Sequence, residues 1–246
     1  MIKVITLITK FIVITLIALF FGSCNQLEKI NSITGSGHVT TENRTVTGDF
    51  KNVEVNNALE LIIEQSDKTE IIVEADDNLQ KEITTKIENG VLVISCTKGN
   101  FINVSSKKIT VKMPVIEGIE ASSASTVNTT NTLKGNSLSL ATSSAAAISA
   151  SVEYDNIQIT ASSASNQTIK GKSLQIEAET SSAGVINAGD LLSNEVVASS
   201  SSGGSTTVHP IVNLKAEASS GGHISYIGTP KSIQKEENSG GSIQQD

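Results

Sequence analysis

Few side chains in this sequence are of a kind that could do chemistry, and their spacing decides what they can do. Its three histidines, His38, His209 and His223, lie far apart. A zinc site needs His, Cys or carboxylate ligands gathered together, and no such group is spelled out. His209 and His223 are 14 residues apart, less than one repeat of the pattern below, so they are expected on different parts of the cross-section. Asp76-Asp77 with Glu74 is the densest acidic patch. Paired carboxylates can serve acid–base chemistry or calcium, but adjacent Asp residues in a turn more often accept backbone hydrogen bonds. Cys96 lies inside Val91-Leu92-Val93-Ile94-Ser95-Cys96 and reads as a strand residue with an unactivated thiol. No phosphate loop, Gly-x-Ser-x-Gly elbow or Cys–His pair is present. Arg44 is the sole arginine, and Lys134, Lys170, Lys172, Lys215, Lys231 and Lys235 are scattered. The basic face of an acidic-polysaccharide lyase is therefore missing. These residues predict no catalytic set, no cofactor and no metal.

What must position them is a repeat. Ser122-Ser123-Ala124, Ser143-Ser144-Ala145, Ser162-Ser163-Ala164, Ser181-Ser182-Ala183, Ser201-Ser202-Gly203, Ser219-Ser220-Gly221 and Asn238-Ser239-Gly240 follow one another at steps of 21, 19, 19, 20, 18 and 19 residues. A short fixed period is one structural unit stacked on itself. Each tract follows an alternating run, Leu138/Leu140, Ile157/Ile159/Ala161, Leu174/Ile176/Ala178 or Leu214/Ala216/Ala218, which is the mark of a half-buried strand. A second short strand and a glycine turn at Gly135, Gly171, Gly189 or Gly228 complete the unit. Residues 132–140 and 168–176 match most closely. Strand, small corner, strand and turn in about 19 residues describe one coil of a parallel β-helix. Coils stack about 4.8 Å apart, which favours small residues at a sharp corner. A flat Ser/Thr ladder that orders water would need regular Thr-x-Thr rows, and none recur.

Residues 35–118 are also β-rich but less regular. Val53/Val55, Leu59/Leu61/Ile63, Ile71/Val73/Ala75, Leu92/Ile94 and Ile109/Val111/Met113 alternate between turn signals such as Asn56-Asn57 and Asn89-Gly90. Asp76 to Gln80 interrupts that rhythm as a turn or short helical piece. No linker separates 35–118 from 119–246, so one domain over 35–246 is expected. The polar tail Glu236–Ser242 and the irregular half are candidate caps for the solenoid's open ends.

The N-terminus carries an address. Lys3 and Lys10 flank an apolar run from Phe11 to Phe21, too short for a comfortable span and ending in Gly22-Ser23-Cys24. This resembles a bacterial lipobox, which implies a signal peptide over 1–23, cleavage before Cys24 and lipidation of its sulfur and amine. The lipidation site is Cys24, residues 24–34 are anchor and tether, and the membrane partner is the outer membrane, with the occupied face left open. Loss of Lys3 and Lys10 takes Lys+Arg from 18 to 16 against 25 acidic residues, a net charge of −9. Such a chain has no electrostatic reason to hold nucleic acid. Its aromatics beyond the signal are Phe50, Phe101, Tyr154 and Tyr226, too few for glycan recognition by stacking.

Gly35-Ser36-Gly37, Arg44, Val46, residues 50–55, residues 74–79 and Asn89-Gly90-Val91-Leu92, followed by the Ser-Ser-Ala and Ser-Gly-Gly coils, resemble the auto-transporter adhesin head GIN domain family of Bacteroidota envelope lipoproteins. The resemblance spans about 35–244 and implies a right-handed parallel β-helix on the cell envelope. The expected function is a non-enzymatic, lipid-anchored, adhesin-like module with a protein or glycan ligand. The alternatives are a polysaccharide-acting β-helix enzyme and a periplasmic envelope-stress or sensor lipoprotein.

Overall fold

A computed structural model describes residues 32–45 and 47–246. The expected signal peptide over 1–23 and the expected lipidation site Cys24 lie outside the described residues. Every regular element described is a strand. The first are β1 (Ser32–Thr34), β2 (Val39–Arg44), β3 (Asn52–Val55), β4 (Glu60–Gln65), β5 (Glu70–Asp76), β6 (Ile83–Glu88), β7 (Val91–Cys96), β8 (Asn100–Ile102) and β9 (Lys107–Met113). The repeat half holds β10 (Gly118–Ala121), β11 (Thr126–Thr129), β12 (Leu133–Thr142), β13 (Ala147–Ala161), β14 (Asn166–Thr180), β15 (Val185–Ser200), β16 (Ser205–Ala218), β17 (His223–Tyr226), β18 (Ser232–Glu237) and β19 (Ser242–Gln245). Asp76 ends β5, residues 77–82 form a turn, and Ser32–Thr34, within the expected tether, pair with β8.

The chain winds as a parallel β-solenoid with two faces. On one, Ile119, Leu140 and Ile159 pair in series across β10, β12 and β13. On the other, Leu61, Val127, Ile148 and Gln167 do so across β4, β11, β13 and β14. Along strands such as β13 and β14 inward positions are buried and most outward positions exposed, so the core is one column running up the axis.

The sharp corner has a specific backbone cause. In each tract the two middle residues are left-handed, as in Ser144 (φ 51) and Ala145 (φ 62), and Ala146 N–H donates to Ser143 O at 3.1 Å. Two successive left-handed residues closed by that bond make a type I′ turn. The turns are stitched to one another: Ala124 N–H reaches Ser144 O at 2.9 Å and Ala145 N–H reaches Ser163 O at 3.0 Å. Asn57 (φ 64) and Ala58 (φ 55) form the same corner one coil earlier. The middle residues are exposed, so their smallness is set by backbone twist more than by crowding. Crowding acts on the residue that follows. A Cβ on Gly222 would stand 2.2 Å from Ser200 O. An alanine in left-handed backbone is strained where glycine is not. Ala145→Gly is therefore expected to raise stability by about 1 kcal/mol, read as a higher urea midpoint with an unchanged slope.

The second corner differs from expectation. Strands β12 to β16 run straight through it, so Gly135 and Gly171 lie inside strands and not in tight turns. Register also corrects the alignment of repeats. Leu138 pairs with Ile157 and Ile157 with Ile176, which moves Leu174 out of the inward row into the corner.

The irregular half is a solenoid with its coils out of sequence. β7 and β9 pair parallel with β3 and β4, while β10 and β11 pair with their opposite edges. The coil 91–113 therefore lies beneath the coil 52–65. Antiparallel β6 covers β7, and antiparallel β5 and then β2 cover β9. That is the cap expected of this half. At the other end β18 and β19 form a last coil whose inward positions change type. Lys235 and Glu237 stand where the coil before has Ala216 and Ala218. The Lys235 ammonium lies 4.6 Å from the centre of the Tyr226 ring, and Glu237 Oε1 accepts from Ile243 N–H at 2.5 Å. Inward-pointing charge is an edge-protecting device, so the polar tail is also a cap.

Candidate functional site

Asp76 is fully buried, and its carboxylate accepts three backbone N–H bonds, each 2.9 Å, from Gly37, Ser105 and Ser106. Burial pushes its pKa up, but the three donors outweigh it and leave the carboxyl below its ordinary value. Asn78 ties the same segment through Ser36 N–H and Thr34 O, and a Cβ on Gly35 would meet Asp76 Oδ2 at 2.4 Å. The acidic patch is thus a clasp for the N-terminal strand. Glu74 is bound to Lys108 at 2.8 Å, and that bond holds its carboxyl low.

The other sequence candidates are dispersed. Cys96 is buried and its thiol is pushed up by that burial, with Glu82 adding to it, so no thiolate is available for chemistry. His38 meets exposed Asp77 at 3.5 Å, His209 Nδ1 meets Gly189 O at 2.9 Å, and His223 Nδ1 meets Ser242 Oγ at 2.8 Å. Contrary to the expectation from spacing, His209 and His223 share one face on adjacent strands, because register aligns Ser205 with His223. They are still four residues apart along the strand, roughly 13 Å. Among the described residues no His, Cys, Asp and Glu group could hold a metal ion. Arg44 donates to Gln80 O at 2.6 Å and to Gln80 Oε1 at 2.9 Å, a structural role.

In the repeat half, two surfaces could bind. The first is the outer side of the β10–β18 face, a shallow trough of polar rows. Its two depressions meet at Gln175 and are lined by Ser137, Asn156, Gln158 and Glu177 on one side and by Glu195, Asn213 and Lys215 on the other. Asn213 Nδ2 bridges both oxygens of Glu195 at 2.9 and 2.8 Å. Glutamates recur in a row beside it: Glu54 pairs in register with Glu120, and after Ala141 and Thr160 come Glu179, Ser199, Glu217 and Glu236. Burial, and then the like charge of Glu54, push the Glu120 carboxyl up.

The second is a groove of about 580 Å³ at the untwisted corner, lined by Tyr154, Leu174, Leu192 and Ile211 with Glu153, Asp155 and Lys172 at its rim. Three ionisable groups converge here, as an active site would require. However, Glu153 is bound to Lys134 at 2.8 Å and that bond holds its carboxyl low, so it stays an anion and does not serve as a general acid. Tyr154 is pushed up to about 12, by burial first and by Glu117 second, and its hydroxyl is spent on Ile116 O at 2.8 Å. The sequence gives no sign of the groove, because Leu174 continues the alternation of Ile176 and Ala178.

Known proteins share this architecture. A crystal structure of a "putative adhesin" from Bacteroides fragilis has a TM-score of 0.80 at 21% identity, covering 87% of this chain and 100% of that one. A "putative adhesin" from Parabacteroides distasonis gives 0.71 at 21%, with the same coverages. A "Putative lipid binding protein" from Parabacteroides distasonis gives 0.67 at 18%, covering 87% and 99%. At these identities the likeness establishes the fold. No curated protein sequence matches the chain. The model of one family matches residues 49–230, three-quarters of the sequence and all but the first and last parts of the solenoid, and the chain belongs to that family, "Putative auto-transporter adhesin, head GIN domain".

Proposed function

We propose that this protein is a non-enzymatic, adhesin-like binding module of the cell envelope, held to the outer membrane by lipid on Cys24, and that it binds along the polar trough. The observation that carries this reading is the register of that face. Ser137, Asn156, Gln175, Glu195, Asn213 and Ser232 stand in one unbroken polar row, and beside it Ser139, Gln158, Glu177, Lys215 and Gln234 form a second row that Val197 interrupts. Such rows offer donors and acceptors at a repeat of about 4.8 Å, matched to an extended, hydrogen-bonding polymer. The family and the solved relatives named as adhesins support the same reading. The test is adherence of intact cells to glycan- and protein-coated surfaces. A Gln175→Ala, Glu195→Ala double variant is expected to fall to the level of cells lacking the protein. Unchanged adherence at equal surface amount would remove the trough from the function. Protease shaving of intact and lysed cells, with Cys24→Ser beside them, reads the membrane face and the anchor together. A second reading, lipid binding, is favoured by the apolar groove and by the name of one solved relative.

A further inference from the structure

Exposed large aliphatic side chains are few on the repeat half, and of the five there, Val197 and Ile233 stand apart while the other three line the corner groove. Leu174 is 55% exposed, Leu192 36% and Ile211 43%, on three successive coils. The same place is where the coils lose their regularity. Register shifts occur between Thr168 and Lys170, between Ala188 and Leu192 and between Ser193 and Glu195. The longer coil from Ser181 to Ser201 supplies the extra residue, and His209 Nδ1 on Gly189 O holds the displaced backbone. Bulges re-aim side chains, and these fall beside Leu192 and Ile211, while Leu174 takes the same outward corner position as Asp155 in unshifted register. Beneath them Ser173 and Ser193 are buried and bonded to each other at 3.0 Å, and Ser193 also donates to Glu195 O at 3.0 Å. The floor is thus built and internally satisfied, and the slot above it is apolar.

We infer that this groove binds a single-chain zwitterionic amphiphile, its alkyl chain along Leu174, Leu192 and Ile211 and its head over Asp155 and Lys172. Three aliphatic side chains on consecutive rungs, with Leu192 set two residues aside because it pairs with Lys172 and His209, make a staggered apolar track that suits a flexible linear chain. The volume, about 580 Å³, is that of a small-ligand site. The rim selects the head by charge. Asp155 makes no ion pair among the described residues, whereas Glu153 is already held by Lys134. Lys172 contributes a cation on the same rim. An anionic head would face Asp155 and a cationic head would face Lys172, while a head carrying both charges meets both.

This rests on the lipid-binding reading above, and its failure is separable from that of the adhesin reading, because trough variants leave the groove intact. The measurement is calorimetric titration of the full chain with lysophosphatidylethanolamine below its micellar concentration. Saturable binding at one site is expected, weakened at least tenfold in Leu174→Ser and unchanged in Val197→Ser, an exposed aliphatic on the trough face. Both positions are exposed, so both variants fold. No saturable binding, or equal binding by Leu174→Ser, overturns the site. An alkyl sulfate bound as tightly overturns the zwitterionic head. A wild-type dimer, without lipid, that Leu174→Ser dissociates would show that a second copy covers the groove and overturn the proposal.

Discussion

Asp76→Ala is expected to lower the unfolding free energy by about 4 kcal/mol, among the largest single-residue losses in the chain. The substitution strands three backbone N–H groups, of Gly37, Ser105 and Ser106, in a part-buried site where their acceptor is the buried Asp76 carboxylate. Each orphaned buried donor costs about 1–3 kcal/mol, and partial relaxation keeps the sum below the maximum. The pH dependence has a definite sign. The folded carboxyl lies below its ordinary value, so its contribution is complete above the unfolded value near 4 and is lost as pH falls through the lowered folded value. Urea unfolding at neutral pH and at acid pH checks both parts. Wild type and variant should converge as the acid limb is entered. Asp77→Asn, at an exposed side chain, should shift the midpoint little. If Asp76→Ala unfolds at the wild-type midpoint, the clasp has no energetic role.

Removing residues 232–246 is expected to turn a monodisperse protein into an aggregating one, with light scattering rising several-fold within hours at neutral pH. The deletion takes away β18 and β19, and with them the partners of the β16 and β17 edges. It uncovers Leu214, Ala216, Ala218, Ile224 and Tyr226, all now buried. An apolar core end bordered by unpaired strand edges is a template for strand addition. Lys235→Ile with Glu237→Val is the subtler form of the experiment. It keeps the coil but removes the inward charges, and it should aggregate more slowly than the truncation. Scattering equal to wild type from the truncated chain would mean that the last coil is not a cap.

The clasp and the cap illustrate what was legible in the sequence. Asp76-Asp77 was readable as a hydrogen-bonded turn because adjacent carboxylates in a β-rich chain have few other uses. Its partners were not, since Gly37 and Ser105 are 39 and 29 residues away. The tail was readable as a cap from its polarity, but the inward direction of Lys235 and Glu237 follows only from pairing with Ala216 and Ala218. The groove was invisible for a related reason. Alternation has period two, so a slip of two residues keeps every side chain on its face and leaves no sign in the pattern. Leu174 therefore reads as a core residue, although register sets it level with Asp155 at an outward corner position.

Local chemistry and period determined most of this protein from the sequence alone. Alternating apolar residues, Ser-Ser-Ala and Ser-Gly-Gly corners and a step of about 19 residues define a parallel β-solenoid, because both strands and corners are short-range structures. Only the tertiary structure decided the order of the first coils, where 91–113 slides beneath 52–65, and the bulged register that opens the corner groove. Both depend on which strand edge pairs with which. Backbone hydrogen bonds between strands are the same for any sequence, so that choice is made by the packing of the whole core.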